Sequence, residues 1–387
     1  MKRPLMTPDH ETFRTSFDRF LDAKVLPRWD EFERDGIVDR SVWKEAGSAG
    51  FLALEVPEEF GGAESTDFCF NAVLGEQINA RVMRGFGLTL HNDIVVPYLM
   101  RLGTREQQRR WLPGMVTGDI IAAIAMTEPG AGSDLSGIST RARRTTTGYV
   151  VNGQKTFITN GQNADIIVTA VRTDDDPYGG LSLLVIERGM PGFDRGRNLD
   201  KLGMHAQDTS ELFFDNVEVP AENLLGQENK AFGHLVDNLP RERLSIAVGA
   251  VAAAERAIAL TIEYVRDRAA FRKHLSDLQN TRFVLADLAT QTRMARVFVD
   301  DCITRHNAGE LGVDEAAMVK LACTENQVHV VDRCLQLHGG FGYMAETQIG
   351  QLWRDSRPQT IYGGASEVMK HIIGKSLVST TPAEGKS

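Results

Sequence analysis

Five stretches of the chain set reactive or ligand-seeking residue types beside glycines or at element ends, and each has a plain structural reading beside its chemical one. Met126-Thr127-Glu128-Pro129-Gly130-Ala131-Gly132-Ser133-Asp134 follows an apolar run with a proline turn, hydroxyls and glycines. Such a loop can bring backbone N–H groups and hydroxyls against a ligand ring or phosphate, or its Ser and Asp can satisfy their own backbone. In Lys155-Thr156-Phe157-Ile158-Thr159-Asn160-Gly161, Phe157 can stack on a flat cofactor or serve as core. Arg266 and Arg268 precede Phe271, with Gln279 beyond a short loop. Arginines there can hold a diphosphate or complement a helix dipole. Gln336-Leu337-His338-Gly339-Gly340 reads as a ligand approach or a helix C-cap. Ile361-Tyr362-Gly363-Gly364-Ala365-Ser366-Glu367 ends in free N–H groups suited to an anion, although an N-cap at Ser366 explains the same letters. Gly340-Phe341-Gly342-Tyr343-Met344-Ala345 spells GxGxxA but follows a helical pattern instead of a strand, so it is not a dinucleotide fingerprint.

The elements that must position these residues change character twice. From Thr7 to about Gly118 apolar residues recur at three and four, as in Phe13, Phe17, Phe20 and Leu21. Between Ile120 and about Leu225 the pattern becomes short β-branched or aromatic runs such as DIIVTAVR and LSLLVIE. Helical spacing returns after Phe232, with Pro240 expected in the first turn of a helix running through Ala269. Further helices are expected over Thr281–His306, over Asp314–His338 with Gly339 as stop, and from near Ser366. Segregated α, β and α segments predict an α+β chain: an N-terminal all-α domain (1–119), a middle antiparallel β domain (120–231) and a C-terminal four-helix bundle (232–387).

Composition narrows the partners. The 387 residues are 42% hydrophobic and 25% charged, which is ordinary for a packed protein. A net charge of −9 provides no basic field for nucleic acid. Cys69, Cys302, Cys323 and Cys334 have neither zinc-ribbon spacing nor disulfide-framework density, so no metal is expected and a reducing, cytoplasmic setting fits. The N-terminal residues lack the apolar core of a secretory signal, and no run approaches the ~20 apolar residues of an integral membrane segment.

MTEPGAGSD, KTFITNG, RxxF with a downstream Gln, QLHGGFGY and RDSRPQTIYGGASE, in that order, resemble the successive signatures of the acyl-CoA dehydrogenase family over nearly the whole chain. The resemblance implies noncovalent FAD and an acyl-CoA substrate dehydrogenated to a trans-2-enoyl-CoA. It also implies a homotetramer and electron delivery to an electron-transfer flavoprotein. It puts Met126, Thr127, Phe157 and Thr159 beside the flavin, Phe157 standing where many members have Trp, and Ser133 near both FAD and substrate. Arg268, Phe271, Gln279, Gln336, Gly339 and Gly340 match residues reaching the FAD of a neighbouring subunit. Ala365 replaces the usual Thr, Glu367 matches a cofactor-side position, and Arg243, Tyr362, Gly363 and Gly364 fall on the substrate side.

The base is where this sequence departs from many members. Their Glu of IYEGT is Gly363 here, and glycine cannot take a proton. LPRERLSIA resembles the long-chain and isovaleryl branch, which carries its base on the first C-terminal helix, so Glu242 is the expected base and Glu367 its rival. By this resemblance the Gly363 N–H and a ribityl hydroxyl polarise the thioester, Glu242 removes the α proton and flavin N5 takes the β hydride. Arg243 is expected to orient Glu242. IAMTEPGAGSD and AQDTSELFF favour the long-chain type, with long or medium acyl chains ahead of branched short ones such as isovaleryl. An acyl-CoA oxidase-like enzyme using O₂, a flavin-binding module without catalysis and a carrier-protein thioester are the alternatives.

Overall fold

A computed structural model describes residues 3–379. The chain folds as two compact units, one of residues 6–78 and 83–238, the other of residues 3–5, 79–82 and 239–379.

The first unit opens with helices α1 (Pro8–Phe20), α2 (Trp29–Asp35), α3 (Arg40–Ser48), α4 (Phe68–Ala80), α5 (Val96–Leu102) and α6 (Arg105–Thr117). Thr7 and Thr104 start α1 and α6 as capping boxes, accepting from the N3 backbone while the N3 side chain turns back. Phe17, Phe20, Trp43, Phe51 and Phe86 bury one aromatic core. The strands follow: β1 (Ala122–Ala125), β2 (Arg141–Arg144), β3 (Gly148–Thr159), β4 (Ile166–Arg172), β5 (Leu181–Glu187), β6 (Phe193–Asn198), β7 (Thr209–Pro220) and β8 (Leu224–Leu225). They form one sheet in the order β6-β7-β3-β2-β4-β5-β8, with β1 beside β4. The sheet is antiparallel except at β4, which runs parallel to β1 throughout and to β2 at one residue pair. β4 is buried at every position, which is why DIIVTAVR lacks the in-out alternation of a half-exposed strand.

Helix α7 (Ala231–Asp267) leads into the second unit, followed by a two-strand turn of β9 (Ala269–Ala270) and β10 (Lys273–His274). Helices α8 (Gln279–Asn307), α9 (Val313–His338), α10 (Gln348–Ser356) and α11 (Ser366–Val378) complete it. Ala253, Ala254, Ala257, Leu288, Val330 and Leu352 interlock in its core. Small residues on α7 allow close helix approach, and the Arg296 guanidinium of α8 forks onto Glu255 of α7 at 3.0 and 2.6 Å.

Three expectations change here. The long helix begins at Ala231, so Pro240 lies in its interior, where it removes one backbone N–H donor instead of starting the helix. The N-cap of α11 is Ala365, not Ser366, and no side chain caps it. By length and composition α7 is apolar enough to cross a membrane, against the expectation that no run reaches this, but 56% of that window is buried within the protein as core helix.

Candidate active site

In the first unit a buried ion pair ties the first two motifs together. Lys155 Nζ donates to the Met126 carbonyl at 2.9 Å and to Glu128 Oε1 at 2.8 Å. Glu128 also accepts from the Ser139 N–H and hydroxyl and from the Thr140 N–H, at 2.7–2.9 Å. Burial pushes the Glu128 carboxyl up, but the Lys155 charge and these hydrogen bonds outweigh it and hold it at about 2. The Thr156 N–H donates to the Thr127 carbonyl, completing the join.

That join presents a particular surface. β3 slips register against β7 between Lys155 and Ile158, and within this bulge Phe157 adopts φ 60° and is 67% exposed. A non-glycine residue held at positive φ with its ring in solvent costs stability twice, the pattern of a side chain shaped for a ligand. The hydroxyls of Thr127, Ser133 and Thr159 take no partner among the described residues, whereas Asp134 is spent on the Ser136 N–H and hydroxyl. So the alternative of a self-satisfied turn holds for Asp134 alone. Met126 is half-buried at the loop's start.

In the second unit two groups of residues converge. At one end of the bundle the Arg268 guanidinium lies 5.9 Å from the Phe341 ring centre, and the Tyr264 hydroxyl donates to the His338 carbonyl at 3.1 Å. This brings Arg268 to the Gly339–Gly340 end of α9, where Gly339 has φ 59° as the helix stops. The side chains of Arg268, Gln279 and Gln336 are exposed and take no hydrogen-bond partner among the described residues. Phe271, in the turn between β9 and β10, is 87% exposed at φ 52°. Elsewhere Ala365, Ser366 and Glu367 line a pocket of ≈ 450 Å³ with Glu325, His329 and Arg357. It lies at the uncapped start of α11, with two carboxylates, Glu325 and Glu367, alongside Arg357 and His329 in its lining.

The decisive contact is on α7. Gly363 has φ 63°, and a Cβ placed on it would meet Ile246 Cδ1 at 2.3 Å. Glu242 is one helical turn before Ile246, on the same face of α7, and is only 4% exposed. A side chain at the loop position would have to displace the end of Ile246, while the neighbouring helix face supplies a buried carboxylate. Glu367, four residues on, is exposed in the first turn of α11. Arg243 is 2% exposed, its pKa pulled down by burial and up by the Glu242 charge. Tyr362 is exposed and Gly364 turns at φ 98°. The backbone N–H of Gly363 takes no acceptor among the described residues.

Gly363→Ala is expected to cost about 2 kcal/mol, from left-handed strain and the displaced Ile246. Chemical denaturation of Gly363→Ala with and without Ile246→Ala checks it: the second change should recover part of the loss, and an unchanged loss would mean that Ile246 is not the obstacle.

One cluster has metal-ligand composition: His10, Asp67 and Cys69 bring ligand atoms within 4.8 Å of one another. The Thr7 N–H donates to His10 Nδ1 at 3.0 Å, which leaves the ring proton on Nε2, 3.0 Å from Asp67 Oδ2. The ring is thereby committed to capping α1.

Three family models match the chain in succession: the N-terminal domain of acyl-CoA dehydrogenase over residues 7–119, its middle domain over 123–217 and its C-terminal domain over 232–378. The chain belongs to the acyl-CoA dehydrogenase family. This member is 43% identical, over 97% of its length and 88% of the relative's, to the mitochondrial long-chain specific acyl-CoA dehydrogenase of Mus musculus. A solved acyl-CoA dehydrogenase from Geobacillus kaustophilus superposes with TM-score 0.96 at 46% identity, covering 98% of this chain and 100% of that one. A solved glutaryl-CoA dehydrogenase from Mycobacterium smegmatis, in complex with FADH2, superposes with TM-score 0.89 at 26% identity, covering 98% and 97%. The acyl-CoA dehydrogenase assignment makes the protein an oxidoreductase.

Sequence reading misses three features of this site. Ile246 and Lys320 act through tertiary contacts with the Gly363–Gly364 turn, and the partnership of Glu128 with Lys155 joins motifs that lie apart in the chain. Lys320 does leave a signal: it shares a helical phase with Ala316, Ala317, Thr324 and Gln327, all buried, where a lysine is out of place.

Proposed function

We propose that this acyl-CoA dehydrogenase oxidises long- or medium-chain acyl-CoA thioesters to trans-2-enoyl-CoA with Glu242 as the base. The observation that carries the reading is a loop position that holds no acid, Gly363, packed against Ile246 next to a helix face that buries the Glu242 carboxylate. A proton α to a thioester is too weakly acidic for a carboxylate in water, so the enolate oxygen needs donors as charge develops. The Gly363 N–H is such a donor, and it needs no side chain. A desolvated carboxylate is also a stronger base toward that proton than one in water. Arg243 keeps the face beside Glu242 cationic and so orients it.

FAD, when bound, supplies the two-electron acceptor for the hydride leaving the β carbon. The residues present suit it: Phe157 offers a flat face, and the hydroxyls of Thr127, Ser133 and Thr159 offer hydrogen bonds. Arg268, Phe271, Gln279, Gln336, Gly339 and Gly340 would hold the cofactor of a neighbouring copy, with Ala365 and Glu367 on its own side. The same reading has the protein work as a homotetramer that passes electrons to an electron-transfer flavoprotein, in a cytoplasmic setting. The 43% identity to the long-chain enzyme supports long acyl chains.

Anaerobic titration of the FAD-loaded protein with saturated acyl-CoAs of graded length tests the reading. Bleaching of the flavin band should be fastest with long or medium chains and recover on adding an electron-transfer flavoprotein. Bleaching that reverses equally fast in air alone would place the protein with oxidases instead.

A further inference from the structure

The turn that carries the Gly363 donor is held from below by a buried lysine the reaction scheme leaves unused. Lys320, on α9, is fully buried, and its Nζ donates to the Gly364 carbonyl at 2.7 Å. It has no other hydrogen-bond partner among the described residues. Removing an ammonium from water costs several kcal/mol, and one hydrogen bond does not offset that. A methionine would fill the same volume without the cost. Lys320 also lies within reach of a second buried cation: burial, then the Arg243 charge, depress it to about 8, while Glu325 pulls the other way. The Arg243 Nε and Nη1 take no partner among the described residues. A buried ammonium with one hydrogen bond and a second desolvated cation within electrostatic reach is poor economy for folding alone.

The turn itself needs restraint. Gly363 and Gly364 sit at φ 63° and 98°, and glycines are the residues whose peptide planes rotate most freely. Tyr362 N is anchored to the Pro358 carbonyl before them, and Met369 N to the Ala365 carbonyl after them. Between those anchors the Lys320 bond to Gly364 is the one hydrogen bond to a backbone group of the two glycines among the described residues. We propose that Lys320 is a positioning residue, fixing the Gly363–Gly364 turn so that the Gly363 N–H stays presented to the carbonyl oxygen of a bound thioester. The inference rests on Gly363 being that donor. Lys320 keeps an N–H to donate whether charged or neutral.

The test compares two ligands that differ at the carbonyl and the double bond next to it, so the readout is how each variant shifts their ratio. Trans-2-dodecenoyl-CoA is a thioester, and S-dodecyl-CoA is a thioether without the oxygen; neither is dehydrogenated, and both are titrated into the FAD-loaded protein by the flavin spectrum. Wild type should bind the thioester more tightly. In Lys320→Met the thioester should weaken by roughly threefold to tenfold, the loss of one well-aligned hydrogen bond, with the thioether within twofold of wild type. Lys320→Arg, which retains a donor on a long stem, should recover part of the preference. Equal weakening of both ligands, or an unchanged preference in both variants, overturns the assignment. A wild-type protein that binds both ligands equally removes Gly363 as the donor, and the role of Lys320 with it; Lys320→Met failing alone leaves the Gly363 donor standing.

Discussion

Glu242→Gln is expected to slow flavin reduction by acyl-CoA between 10² and 10⁴-fold, the usual contribution of a positioned general base. Gln matches Glu in shape, so the buried site on α7 should keep its packing, and the FAD content and the affinity for an enoyl-CoA product should stay within a few-fold of wild type. Only proton acceptance is lost. Rapid mixing under anaerobic conditions reads the rate directly, and a Glu242→Gln protein that reduces as fast as wild type would move the base elsewhere, with Glu367→Gln the next variant to measure. The geometry adds a second arm. Restoring a loop-borne acid through Gly363→Glu in a Glu242→Gly background should recover only part of the activity, because the new side chain starts from a left-handed residue and must push aside Ile246 Cδ1, 2.3 Å from its Cβ site. Adding Ile246→Ala opens that space, and more activity should return. Ile246 fills the space that a side chain on the turn would enter.

The contact of Ile246 with the turn shows what can be read in advance. The letters alone say that Gly363 carries no acid and that Glu242 does, and Glu242 is buried. They do not show the contact of Ile246 with Gly363, because the two are more than a hundred residues apart and meet only through tertiary packing. Periodic segments are legible for the opposite reason: the stripes of α8 and α9 repeat at the helical interval over many turns, so each residue restates the same local fact. Short or atypical pieces are not. α10 has only nine residues, too few turns to stand out between glycine-rich signatures. Pro240 misleads because its tolerance of a first turn is a preference, and a long buried helix such as α7 can absorb one missing donor. Phe157 stands out as an aromatic, but the φ of 60° that turns it outward comes from a bulge in the pairing of β3 with β7, which a single strand's letters do not encode.

The join between the first two motifs makes the other large prediction. With Lys155 0% and Glu128 3% exposed at the side chain, removing either partner strands a charge in the interior, and Lys155→Met or Glu128→Gln should each cost about 3–5 kcal/mol. The double variant should cost clearly less than the sum, since no unpaired charge remains, and thermal unfolding of the four proteins gives the coupling. The acid dependence has a definite sign. Glu128 sits at about 2 in the folded protein against an ordinary 4.5, so in that window the unfolded chain binds more protons. The stability it contributes is complete above about pH 4.5 and is lost as pH falls toward 2. Wild type should therefore lose stability faster than Glu128→Gln over that interval, with the gap between them closing at its lower end. Protection of the Ser139 and Thr140 amides against exchange, measured relative to the intrinsic rate at each pH, should fall in step, because their N–H groups bond to this carboxylate. Because Lys155 also holds the Met126 carbonyl, and Thr156 the Thr127 carbonyl, loosening the pair frees the loop and the Phe157 bulge from one another. FAD should then dissociate faster from Lys155→Met at a temperature where the variant is still folded. Unchanged FAD retention there would mean that the pair stabilises the sheet without shaping the cofactor surface.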